Sequence, residues 1–345
     1  MHYPSRLARC IMSPNVKVLD FFKEGLENFR LSQDQLEILC EAPRHDAGSP
    51  LTQDVICNTT ISTNRKTDAL ERSKPRLPRR IIVMDASFNP PTSAHMQMAT
   101  SAIRSAGDRR NTRLLLLLAV SNADKAPKPA SFEQRLAMMN ALAQDVYEEI
   151  SYDDEAGAAA PESDDNGHRF GIDLALTTLP YFHDKSAALA AVVETAFEPP
   201  PTGRAPVEQV FLIGYDTLIR LFNPKYYSRT ENGETVNGIR EALSPLFGRA
   251  RARLTLRADA DWGGREEQLA YLENVRHGDA LEQAGGLKEW ASRIDVAETG
   301  DAHGLVSSTS AREAAARGDW VRLRELVPPR VAAWVQDERL YQESE

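Results

Sequence analysis

Cysteine is scarce in this chain: Cys10, Cys40 and Cys57 are the only three among 345 residues. An odd count with no metal-type spacing argues against a disulfide scaffold and a zinc site, and for a reducing compartment. Long apolar runs are also missing. The longest, Leu114 to Val120, is far short of the roughly 20 residues that cross a bilayer, so no membrane association is expected. It reads instead as a strand buried on both faces. Nor is there an excess of positive charge. A net charge of −9 argues against a protein that coats nucleic acid, while leaving room for a small anion in a locally basic cleft. Tryptophan is sparse too, with Trp262, Trp290, Trp320 and Trp334 all far downstream.

Residues 1 to 19 hold Arg6, Arg9 and Lys17 and no acid. That composition is faintly mitochondrial, but Pro4 and Pro14 break any amphipathic helix, and a disordered start is expected. The compartment is read as cytoplasmic or nuclear. Phe21 to Phe29 and Gln35 to Leu39 have helical apolar spacing and predict short helices. Residues 43 to 79 are polar and increasingly basic, which suggests a flexible insert; without interleaved aromatics it is a poor nucleic-acid surface. Residues 1–80 are therefore set apart as an extension, and 81–345 as the main domain.

From Ile81 onward, apolar strands alternate with helical stretches, the pattern of a parallel α/β sheet. Strands are predicted at Ile81 to Met84, Leu114 to Val120, Phe170 to Leu176, Val210 to Ile213, Leu254 to Leu256 and Ile294 to Val296. Helices are predicted at 94–106, 131–150, 184–197, 216–222 and 308–317. An acid-, Ala- and Gly-rich insert near 151–168 and a Pro-rich one near 198–206 read as disordered surface loops.

Two segments carry chemistry. The first strand breaks into Asp-Ala-Ser-Phe-Asn-Pro-Pro-Thr-Ser-Ala-His, residues 85 to 95, and then a helix. Free backbone N–H groups and the positive helix end meet there, so the loop is an anion site to which His95 adds a donor. The second segment is Leu305-Val-Ser-Ser-Thr-Ser-Ala-Arg312, ahead of a helix that Gly318 stops. Hydroxyls at a helix start are ordinary caps. Here three of them precede an arginine by one turn, so hydroxyls and guanidinium can converge on phosphates.

Together these segments resemble the signatures of the nucleotidyltransferase superfamily. The first takes the form found in nicotinamide mononucleotide (NMN) adenylyltransferases, and the second resembles Ile-Ser-Ser-Thr-x-x-Arg. The fungal promoter-of-filamentation branch is similar in having a small non-glycine residue where most of the superfamily has Gly; that position is Ala86 here. The resemblance implies a Rossmann-like α/β fold with helices on both faces of a parallel sheet. It implies ATP and a mononucleotide, NMN or similar, as substrates, Mg²⁺ carried with ATP, and no dedicated metal cage.

Residue by residue, the resemblance places Ala86, Ser87, Phe88 and Asn89 beneath the nucleotide. Thr92 and His95 contact its phosphates, with Ser307, Ser308, Thr309 and Arg312 on the other side. After the second strand, Ser121-Asn-Ala-Asp-Lys125 is similar to a family loop whose lysine reaches phosphate; Lys125 is favoured over Lys128. Gly214 and Asp216, at the end of the strand Val210 to Ile213, are assigned to ribose. The acceptor base is the open point. The comparable stretch, Leu174 to His183, has no tryptophan, so Tyr181 or Phe182 is the candidate for stacking, with core packing equally open to either. The expected activity is adenylyl transfer. An ATP hydrolase on the same fold, or a non-catalytic scaffold using the extension and acidic insert, are the alternatives.

Overall fold

The computed structural model describes residues 14–41, 77–120, 129–156, 171–197, 206–231, 234–256, 263–297 and 306–342. In chain order the elements are α1 (Pro14–Leu31), β1 (Leu36–Glu41), β2 (Arg80–Asp85), α2 (Ser93–Arg104), β3 (Thr112–Ala119), α3 (Phe132–Ala156), β4 (Gly171–Thr177), α4 (Phe182–Ala196), β5 (Glu208–Gly214), α5 (Tyr215–Leu221), β6 (Ser228–Glu231), β7 (Glu234–Asn237), α6 (Ile239–Arg249), β8 (Ala250–Thr255), α7 (Arg265–His277), α8 (Ala280–Gln283), β9 (Ile294–Val296), α9 (Ser308–Ala316), α10 (Trp320–Leu326) and α11 (Pro329–Asp337).

Seven strands form one sheet in the order β1-β4-β3-β2-β5-β8-β9, and β6 and β7 pair apart from it. All neighbours in the large sheet are parallel except β1, which runs antiparallel to β4. Each inner strand is apolar throughout because both of its faces are covered. Along β2, Ile82 and Met84 enter one core and Ile81 and Val83 the other. On β3, Leu114, Leu116 and Leu118 oppose Leu115 and Leu117 in the same way. The first core is roofed by α1, α2, α3 and α9 to α11, the second by α4 to α8.

The chain moves from β2 through β3 to β4, then returns to place β5 on the other side of β2. That reversal opens a crevice above the carboxyl ends of β2 and β5, the usual ligand position in an open parallel sheet. The loop of residues 86 to 92 rises there.

Several expectations need correction. Residues 35 to 39 are not a helix: Leu36–Glu41 is an edge strand, with a bulge between Ile38 and Cys40. The bulge breaks the alternation, so Ile38-Leu39-Cys40 presents a short apolar run that periodicity alone cannot assign. Because β1 completes the sheet and α1 covers it, residues 14–41 belong to the main body, and a boundary at residue 81 does not divide the fold. Pro14 opens α1, which proline tolerates in the first turn. The helix α3 continues to Ala156, past the 151 start expected for the acidic insert. Cys40 is disulfide-bonded, which removes the cysteine argument for a reducing compartment. Residues 42–76, 157–170 and 198–205 lie outside the described residues, and with them the basic insert and most of the other two.

Candidate active site

The first loop is anchored at both ends. Asp85 closes β2, and the Ala86 N–H donates to the Leu117 carbonyl at 3.3 Å. Ser87 is exposed, whereas the Phe88 ring is fully buried. Phe88 adopts φ 46°, left-handed backbone that costs a non-glycine residue about 1–3 kcal/mol unless its surroundings impose it. Core packing of the ring supplies that constraint. The Asn89–Pro90 peptide is cis.

Thr92 is buried and caps α2 in extended conformation. Its backbone N–H donates to His95 Nδ1 at 3.0 Å, and its hydroxyl lies 2.8 Å from the same nitrogen. Since Nδ1 accepts, the proton of the neutral ring sits on Nε2. The helix start thus holds the imidazole as a donor at the positive end of α2.

The second motif closes onto this loop. Ser307 caps α9, its Oγ accepting from the Ser310 N–H at 3.1 Å. Ser308 Oγ donates to the Pro90 carbonyl at 2.8 Å. Arg312 donates through Nη1 to the Asn89 carbonyl at 2.8 Å and through Nη2 to Thr309 Oγ1 at 3.0 Å. Thr309 is exposed. Two segments separated by 223 positions are therefore latched together. Ser307 serves as a helix cap, and the side chains of Ser308 and Arg312 are engaged with loop carbonyls.

The C-terminal turn adds a clasp that no sequence signal marked. The Tyr341 hydroxyl donates to Asn89 Oδ1 at 2.9 Å. Burial pushes its pKa well above the ordinary tyrosine range, although Arg135 and Arg312 pull the other way. A second unforeseen feature lies under the loop: Lys185, one turn into α4, forms a buried ion pair with Asp85. Burial raises the Asp85 carboxyl and Lys185 partly offsets it. This pair ties the loop to the helix that begins beside the expected acceptor residues.

On that acceptor side the two candidates separate. Phe182 packs edge-on against Phe211 with centroids 5.5 Å apart and belongs to the second core. Tyr181 is 41% exposed and stacks on His183 at 5.5 Å, with 13° between the rings. Only Tyr181 retains a face for a ligand. Gly214 caps α5, and a Cβ there would lie 2.8 Å from Asp216 Oδ1. Asp216 pairs with Arg220 at 2.7 Å, an exposed bond that a competing hydroxyl can displace. Lys125 and Lys128 lie outside the described residues.

Comparison with known proteins agrees with this arrangement. Residues 83–195 match the cytidylyltransferase-like family model. Over 252 residues the chain is 28% identical to a Schizosaccharomyces pombe protein named "Putative nicotinamide mononucleotide adenylyltransferase", covering 73% of this chain and 82% of that one. Among solved structures, Plasmodium falciparum nicotinic acid mononucleotide adenylyltransferase complexed with APC overlaps 76% of this chain and 97% of its own, at 10% identity and a TM-score of 0.41. Thermotoga maritima TmcAL bound with alpha-thio ATP overlaps 75% and 56% respectively, at 12% identity and a TM-score of 0.32. Among the described residues no helix is long and apolar enough to cross a membrane. The parallel sheet with its switch-point loop, the family match that spans this loop and the fungal relative point the same way: the chain is similar to nucleotidyltransferases of the NMN adenylyltransferase-like kind.

Proposed function

We propose that the protein transfers the adenylyl group of ATP to a pyridine mononucleotide, NMN or its nicotinate analogue, and releases pyrophosphate. The observation that carries this reading is the latch: Arg312 and Ser308 of the second motif are bonded to Asn89 and Pro90 of the first. It gathers hydroxyls, a guanidinium, an imidazole donor and a helix N-terminus at one crevice, as a triphosphate requires. The relative's name supports a pyridine mononucleotide as acceptor.

The acceptor phosphate attacks the α-phosphorus of ATP, and the bond to the bridging oxygen of the leaving pyrophosphate breaks. The nucleophile is already anionic, so positioning and charge neutralisation carry the rate, and no covalent enzyme intermediate is needed. His95 Nε2–H faces the developing charge from one side. Ser308 and Arg312 exchange their loop contacts, and Thr309 its bond to Arg312, for phosphate oxygens on the other. Ala86, Ser87, Phe88 and Asn89 form the floor under the nucleotide, while Gly214 and Asp216 receive ribose hydroxyls. Mg²⁺ carried with the triphosphate would neutralise part of its charge, without needing a carboxylate cage from the chain. Tyr181 is the platform for the pyridine ring.

A second reading, hydrolysis of ATP by water on the same loop, is favoured by one feature: no described tryptophan offers a platform, since Trp290 is buried and Trp320 and Trp334 pack against the first core. Incubation with ATP, Mg²⁺ and NMN or nicotinate mononucleotide, followed by product separation, tests both. Dinucleotide and pyrophosphate are the expected products. ADP or AMP without dinucleotide would replace transfer with hydrolysis, and no turnover would leave a scaffold.

A further inference from the structure

Arg135 has no role in the scheme above, yet its setting is unusual for a cation. It lies near the start of α3, 9% exposed, with Nε donating to the Ala130 carbonyl at 3.0 Å and its guanidinium 5.3 Å from the Phe132 ring centroid. A buried guanidinium is normally paired, because removing a charge from water without a counter-charge is expensive. Among the described residues no carboxylate lies within ion-pair distance of Arg135. Arg312 has none either; its bonds go to a carbonyl and a hydroxyl.

The two arginines belong to one cluster. Tyr341 bonds Asn89 Oδ1 and also approaches Met138 Sδ at 3.8 Å, one turn along α3 from Arg135. Asn89 in turn accepts from Arg312 through its backbone. Arg135 and Arg312 both act electrostatically on Tyr341, which is itself bonded to the loop residue Asn89. Burial lowers the pKa of the Arg135 guanidinium, Tyr341 offsets part of this, and the positive charge of Arg312 lowers it further. Two like charges, without acidic partners, are held together where the α2 terminus and His95 add more positive potential. The missing counter-charge is that of a ligand.

We propose that Arg135 is a phosphate ligand of the pyrophosphate moiety, and that it forms with Arg312 a two-guanidinium clamp for inorganic pyrophosphate and for the β- and γ-phosphates of a nucleoside triphosphate. This deepens the triphosphate assignment of the proposed function and rests on it. The clamp closes from both sides of the loop, α3 supplying one arm and α9 the other. Tyr341 spaces the two arms through its bond to Asn89. Nucleoside monophosphates lack the groups that the clamp holds.

Calorimetric titration with inorganic pyrophosphate plus Mg²⁺, and separately with AMP, tests this on the full chain and on Arg135→Gln and Arg135→Lys. The glutamine variant is expected to lose about ten-fold or more in pyrophosphate affinity, the scale of a charge-assisted hydrogen bond, with AMP affinity within about two-fold of the parent. Lysine should recover only part, since an ammonium lacks the forked geometry. Unchanged pyrophosphate affinity in Arg135→Gln, or equal loss of pyrophosphate and AMP, overturns the proposal. If the glutamine variant does not fold, the lysine variant decides: full retention of pyrophosphate binding overturns the clamp, and selective loss supports it. Dinucleotide synthesis is scored separately. A chain that binds pyrophosphate through Arg135 but makes no dinucleotide keeps the clamp and loses the proposed acceptor.

Discussion

Buried arginines stand at both ends of the central sheet, and their charges are answered differently. At the amino edge Arg113 of β3 makes two 2.6 Å bonds to Asp173 of β4 and lies 3.0 Å from Glu41 of β1. Burial alone would lower its pKa; Asp173 first and Glu41 second outweigh this and hold the guanidinium firmly charged. At the carboxyl edge Arg135 and Arg312 meet carbonyls, a hydroxyl and each other's field, with no acid among the described residues to answer them. The sheet therefore sets a completed ion cluster at the end where strands begin and an incomplete one where they finish. A cation satisfied within the fold holds the fold together. One left without an acid is, on the clamp proposed above, where an anion is received.

Breaking the completed cluster should have the largest effect on stability. Arg113→Met leaves Asp173 and Glu41 facing each other without a cation, and chemical denaturation is expected to show a loss of about 3–5 kcal/mol. A loss below about 1 kcal/mol would mean that the cluster is not structural. On the functional side, His95→Ala should lower kcat by about 10²–10³, the usual effect of a lost transition-state donor. Its unfolding midpoint should stay near that of the parent. Turnover at the parent rate would remove His95 from the chemistry.

Arg312→Ala sharpens the contrast with Arg113. ATP binding should weaken by about 1.5–3 kcal/mol while AMP binding barely changes, and stability should suffer far less than in Arg113→Met. Equal weakening of ATP and AMP would reduce Arg312 to a strut for the loop. The smallest effect is expected at a half-buried pair on the amino-edge side, Arg251 and Asp295, which share two bonds of 2.8 and 2.7 Å. The Arg251 hydrogen bond holds the Asp295 carboxyl below the usual carboxylate range. A depressed folded value means that the contribution is present above the unfolded carboxylate value and is lost as pH falls through the folded one. Asp295→Asn should thus cost about 0–1 kcal/mol at neutral pH, and the difference from the parent should vanish under acid conditions. A gap that persists there would assign the effect to packing.

The parts of this fold legible in the sequence are those where both strand faces are buried. Ile81 to Met84 and Leu114 to Val120 are continuous apolar runs, and they lie at β2 and β3 in the centre of the sheet. The edge strand β1 misled because a bulge gives Ile38-Leu39-Cys40 the look of a short helix. At the site, local chemistry was readable and distant partnership was not. The loop from Ala86 to His95 and the run from Ser307 to Arg312 each carry a recognisable pattern, and they meet in space. Tyr341 and Lys185 carry none, since each matters only through a residue 252 or 100 positions away. Tyr181 and Phe182 are neighbours of similar chemistry. Only packing against Phe211 separates the core ring from the half-exposed one.

The Tyr341 clasp has a consequence for how the molecule comes into being. Asn89 lies in the first third of the chain, and the hydroxyl that fastens its side chain is made 252 residues later. Synthesis is vectorial, and the sheet strands β2 to β5 emerge well before that clasp exists. A ribosome-bound chain can have its sheet in place while the loop still lacks Ser308, Arg312 and Tyr341. The side-chain clasp on Asn89 is thereby postponed until translation has passed residue 341, and a stop codon a few positions earlier would leave Ser308 and Arg312 on the loop carbonyls but Asn89 Oδ1 without its donor.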